Sequence, residues 1–107
     1  MNIKEEILEH TNRGLEIFCF YMPIDFVPKR NFRNPLYKDK RASCNIYLDT
    51  KSQCYRMKDF GNEAYSGDCF WFAATMLGLD VRSDFKKVLL TIIQDLNLNI
   101  TMDFKTV

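Results

Sequence analysis

Four cysteines, a single histidine, three nearby carboxylates and a run of basic residues are the side chains in this chain whose types and spacing invite a chemical reading. Cys19, Cys44, Cys54 and Cys69 are separated by 24, 9 and 14 residues, and His10 is the only imidazole. A structural zinc site favours closely spaced thiolate or imidazole pairs, and no Cys-x-x-Cys is present. Four buried free thiols are therefore expected, because the opening Met-Asn-Ile-Lys-Glu-Glu lacks the apolar core of an export signal and so argues against an oxidised framework. Nucleophilic catalysis would have to use His10, which lies in an expected surface helix between Glu6 and Glu9. Asp59, Glu63 and Asp68 could gather magnesium, but no glycine-rich, lysine-bearing phosphate loop accompanies them. A simpler account makes Asp68 a helix cap and pairs Asp59 and Glu63 with Lys58 or Arg56. No active site assembles, and the expectation is a protein that is not an enzyme by itself.

The basic residues are a different matter. Residues 29–58 hold nine of them against two acids, Asp39 and Asp49, for a net +7, while the whole chain carries only +1. The remainder is thus at −6, and positive potential is concentrated on one region. That asymmetry suits a polyanionic partner; a solvated basic loop is the alternative.

The chain that must position these groups has 107 residues, 47% apolar and 14% aromatic, which suffices for one core and not two. No apolar run reaches the roughly 20 residues of a spanning helix, so a soluble, cytoplasmic, non-membrane protein is expected. Ile3, Ile7 and Leu8, then Leu15, Phe18, Cys19 and Met22, recur at helical spacing, with Thr11-Asn12 as a start signal between two short helices. Pro23, Pro28 and Pro35 mark an irregular loop. From Ser43, Cys44, Ile46 and Leu48 alternate with polar residues as in a half-buried strand; a turn at 49–52 and a second strand over 53–60 complete a hairpin. If Tyr55 and Met57 point inward with Cys44 and Ile46, then Asn45, Tyr47, Arg56 and Lys58 share the other face. Asp68 should cap a helix ending at Gly78. Another should begin at Ser83, with Phe85, Val88, Leu89, Ile92, Ile93 and Leu96 as its buried stripe. Leu98, Ile100, Met102 and Phe104 alternate again, making residues 98–107 an extra strand or a linker tail. The expected class is α+β: a small antiparallel sheet with a hairpin core, flanked by N- and C-terminal helices.

The order of these pieces carries a resemblance. Two helices and a basic loop precede Asn34-Pro35-Leu36-Tyr37-x-Asp39-Lys40-x-Ala42-Ser43; a hairpin then leads into Tyr55-x-x-x-Asp59-Phe60-Gly61-Asn62, followed by Gly67-Asp68 and an aromatic-led helix. This resembles the N-terminal zinc-ribbon domain of bacterial DNA primases, in which the first run reads Cys-Pro-x-His before a Lys-x-Pro-Ser element and the second Tyr-x-Cys-x-x-Cys-Gly. The overlay spans about residues 2–97. It is especially similar to the zinc-less branch found in primase-like proteins of Bacteroides mobile elements.

The resemblance places the four ligand positions on Asn34, Tyr37, Asp59 and Asn62, none of them cysteine or histidine. It therefore implies a degenerate metal site with zinc absent and no other cofactor, its folding contribution replaced by hydrogen bonds among these side chains. It also implies a template-binding module in DNA replication that acts beside a separate primase catalytic domain or a helicase. Single-stranded DNA would meet Arg30, Arg33, Lys38 and Arg41 in the loop and Tyr47, Arg56 and Lys58 on the hairpin, with cations on phosphates and a ring on a base. The alternative is a protein-interaction or oligomerisation module that has lost both zinc and DNA, to which the alternating tail and an exposed Trp71 or Phe72 would contribute.

Overall fold

A computed structural model describes residues 2–101. Among them the chain forms a three-stranded antiparallel sheet, β1 (Cys44–Asp49), β2 (Cys54–Asp59) and β3 (Gly67–Asp68), in the order β1-β2-β3. Helices α1 (Ile3–His10) and α2 (Leu15–Tyr21) precede it, and α3 (Cys69–Leu77) and α4 (Phe85–Asp95) follow. This is the α+β arrangement expected from the sequence. None of the described helices is long and apolar enough to cross a membrane.

Local chemistry sets the boundaries. Asn2 opens α1 by accepting the Glu5 N–H at 2.8 Å. Thr11, expected to start the second helix, instead closes the first: it is fully buried, and its hydroxyl donates to the Ile7 carbonyl at 2.7 Å. Asn12, Arg13 and Gly14 then all take positive φ (50°, 56° and 93°). Such a left-handed run favours glycine, and a Cβ on Gly14 would also sit 2.7 Å from Cys69 Sγ. Along α2 Phe18 and Met22 are buried and Leu15 half-buried as expected, but Ile17 is buried in place of Cys19, which is exposed and corrects the expectation of four buried thiols.

Asp68 caps α3 as anticipated, accepting the Trp71 N–H at 2.9 Å, and Gly78 closes it at φ 72°. Beneath the cap the Trp71 indole lies so close to Gly67 that a Cβ there would approach it to 2.8 Å. Helix α4 begins two residues later than expected, because the Asp80 carboxylate accepts from the N–H groups of Arg82 and Ser83 and holds that segment as a turn. Its stripe is inward: Val88, Leu89, Ile92 and Ile93 are buried, with Phe85 and Leu96 half-buried at its ends. They join Phe18, Phe70, Phe72, Ile46 and Met57 in one core between helices and sheet, with the Phe18 and Phe72 rings 5.4 Å apart. Each fully buried side chain of this size contributes about 1.5–3 kcal/mol. Phe72 is thus wholly inside and Trp71 half-buried, so neither is the exposed aromatic expected for a protein-binding surface.

The hairpin register pairs Cys44 with Asp59, Ile46 with Met57, and Tyr47 with Arg56. Its parity is the one read from the sequence. Alongside β1, the loop makes a bridge from Phe32 to Cys44 and a bond from the Lys29 N–H to the Ile46 carbonyl, so the strand's free edge is covered. Residues 98–101 form no strand; Leu98 and Ile100 pack against the core, and residues 102–107 lie outside the described residues.

Candidate functional site

At one end of the hairpin a buried polar knuckle centres on Asp59, which ends β2 and is fully buried. Pro35 keeps Asn34 out of helical geometry, and the Asn34 side chain turns the loop by accepting the Leu36 N–H at 2.8 Å. Its amide donates to Asp59 Oδ2 at 3.0 Å, and the Tyr37 hydroxyl reaches the same oxygen at 2.6 Å. Asp59 Oδ1 accepts from the Ser43 hydroxyl and the Gly61 N–H, both at 2.8 Å. Asp39 ties the loop to itself, accepting the Asn34 N–H at 2.8 Å and the Arg41 N–H at 3.1 Å. The Tyr65 ring, from a 3-10 turn over Glu63–Tyr65, packs 4.8 Å from that of Tyr37.

Three of the four positions assigned from the resemblance therefore meet at one carboxylate. The fourth does not. Asn62 is exposed, its side chain caps the 3-10 turn by accepting the Ala64 N–H at 3.1 Å, and only its backbone N–H returns to the Asp59 carbonyl. The expected pairing of Asp59 with Lys58 or Arg56 is also corrected. Alternation along β2 sends those cations to the opposite face, and neutral donors satisfy the carboxylate instead.

Electrostatics follow from this packing. Burial pushes the Asp59 pKa up, but the hydrogen bonds from Tyr37, Asn34, Ser43 and Gly61 outweigh it and hold the carboxyl well below the usual carboxylate range. The hydrogen bond to Asp59, with burial second, raises Tyr37 to about 12. Burial, then the charge of Asp59, raises Cys44 to about 12. Asp39, Cys44 and Asp59 offer ligand atoms within 4.8 Å of one another. A carboxylate has about four lone-pair sites, and those of Asp59 already accept four hydrogen bonds. No buried side-chain polar atom among the described residues lacks a partner. Glu63 and Asp68 take no part in this cluster.

The outer face of the hairpin contrasts with the knuckle. Tyr47 and Arg56 face each other across the strands, Asn45 pairs with Lys58, and all four are half-buried. Asn45 donates to Asn31 Oδ1 at 2.9 Å, which joins the loop to this face. Burial of Phe32 on the inner side leaves its neighbours Asn31 and Arg33 exposed on the outer, with Arg30 one residue before them. Lys38 and Arg41 are exposed on either side of Asp39. The structure brings Tyr47, Arg56 and Lys58 onto one face and leaves Arg30 and Arg33 exposed on the loop that runs alongside β1, while Lys38 and Arg41 belong to the knuckle loop. Among the described residues none of these cations forms an ion pair.

Sequence reasoning passed over three residues. Asp39 and Ser43 complete the knuckle, and their place within the motif carrying the resemblance was the available clue. Phe60, the third, is two residues beyond Lys58, and the period of a strand puts it in phase with Arg56 and Lys58. Compared with known proteins, the chain matches no family model, no curated protein and no solved structure.

Proposed function

We propose that this chain is a non-catalytic nucleic-acid-binding module related to the template-binding ribbon of bacterial primases, acting on single-stranded DNA in the replication of a mobile element. The observation that carries the reading is the outer hairpin face, where Tyr47, Arg56 and Lys58 lie side by side next to the loop bearing Arg30 and Arg33, and where none of these cations forms a close ion pair among the described residues, although Asp68 lies opposite Arg56 in register. Cations spaced along a strand track phosphates, and the Tyr47 ring opposite Arg56 stacks on a base. The Asp59 knuckle supports the same reading, since it joins the two loops that a ribbon's ion would join and needs no zinc to do so. In the cytoplasm the module works beside a primase catalytic domain or a helicase.

Fluorescence anisotropy with a labelled single-stranded oligonucleotide at two salt concentrations tests this. Micromolar binding that weakens as salt rises is expected, and replacing Arg56 and Lys58 together by alanine reduces affinity at least about tenfold with folding intact. No binding by the unmodified protein at low salt would overturn it. A protein-interaction or oligomerisation module is the second reading, favoured by Phe20, Ile24 and Val27, exposed on α2 and the loop after it. Light scattering that finds a stable oligomer unaffected by DNA supports that reading instead.

A further inference from the structure

Among the large apolar side chains of the described residues Phe60 has the greatest exposure, 65%. It follows the last residue of β2, and its backbone N–H is bound to the Ser43 carbonyl at 2.9 Å, so the position is fixed although the ring is open. The ring packs on no other aromatic among the described residues. Its recorded ring contact is the Lys58 ammonium, 5.2 Å from the centroid. An open aromatic on an anchored backbone beside a cation is free to receive a flat ligand and contributes nothing to the core.

Phe60 continues the row of Arg56 and Lys58. Arg56 faces Tyr47, and Phe60 lies four residues on, about 13 Å at the rise of a strand. One aromatic ring thus lies across from Arg56 and a second follows Lys58. That length matches about four nucleotide steps at a stacked rise of ~3.4 Å. Resting on the nucleic-acid reading above, we infer that Phe60 is a second base-stacking platform, which receives an unpaired nucleobase while Lys58 holds the adjoining phosphate. Duplex DNA, whose bases are already stacked, offers this ring no face.

The test compares a labelled oligothymidylate of about twelve nucleotides, within the usual site size, with an abasic oligonucleotide of equal length and charge. The unmodified protein should prefer the first by about five- to hundredfold, the range for a base on an aromatic ring. Phe60→Ala should remove most of that preference, leave abasic binding and the salt slope unchanged, and melt as the unmodified protein does. Phe60→Trp should keep the preference and Phe60→Leu should lose it, which separates stacking from apolar bulk. If Phe60→Ala binds oligothymidylate as well as the unmodified protein, which itself shows salt-dependent binding, the platform is refuted while the nucleic-acid reading stands. If the unmodified protein binds neither oligonucleotide at low salt, both fall.

Discussion

On the inner face of the hairpin Asp59 is buried and accepts four hydrogen bonds; one residue earlier on the same strand, Lys58 lies on the outer face with no anionic partner among the described residues. Both are charged, and strand alternation alone separates them. A buried carboxylate whose lone pairs are all occupied has no capacity for an outside ligand and serves to hold loops together. Half-exposed cations without partners cost little in isolation and gain only when a polyanion arrives. On the function proposed above, the knuckle serves stability and the outer row binding.

The sharpest way to break this division is to remove the knuckle's centre. Asp59→Ala strands four donors in a buried site and is expected to cost about 3–5 kcal/mol, read as a fall in the denaturation midpoint. That is a large share of the ~5–15 kcal/mol typical of a domain, and a loss below about 1 kcal/mol would show that the loops are held by something else. Acid should act in the same direction. The Asp59 pKa is depressed on folding, so its contribution is fully present above about pH 5 and is lost progressively as pH falls through and below ~4, where the unfolded chain takes up the proton first. Urea midpoints measured through that window should fall further for the unmodified protein than for Asp59→Asn.

Tyr37→Phe removes one hydrogen bond to the carboxylate and should cost about 1.5–3 kcal/mol by the same measurement. Chelation should do less. EDTA is expected to move the thermal midpoint by less than the ~4 °C equivalent to 1 kcal/mol, and stoichiometric zinc by elemental analysis would contradict the polar knuckle. Least of all, Arg56→Ala with Lys58→Ala should change stability by no more than about 0.5 kcal/mol; a larger loss would mean that the outer row also builds the fold.

The regular elements were legible because their signals are periodic and local. The stripe of α4, the Asp68 cap and the alternation of Cys44, Ile46 and Met57 each fix a face without reference to the rest of the chain. The burial of Ile17 rather than Cys19 on α2 was not legible, since the helix follows three consecutive left-handed residues, two of them not glycine. Convergence of Asn34, Tyr37 and Asp59 could be anticipated only from the resemblance. The partners Asp39 and Ser43, and the separation of Asn62, depend on how two loops distant in sequence fold over each other. Phe60 was missed for a plainer reason: a phenylalanine near a hairpin is expected to be core, and only its exposure says otherwise.

The indole packed on Gly67 belongs to the only tryptophan in the chain. Its intrinsic emission therefore reports without any label on the corner where the sheet hands over to α3, and a shift to longer wavelength marks the opening of that corner. Asp68, which caps α3 at this corner, is the register partner of Arg56, so the same emission also watches the strand that carries Arg56 and Lys58.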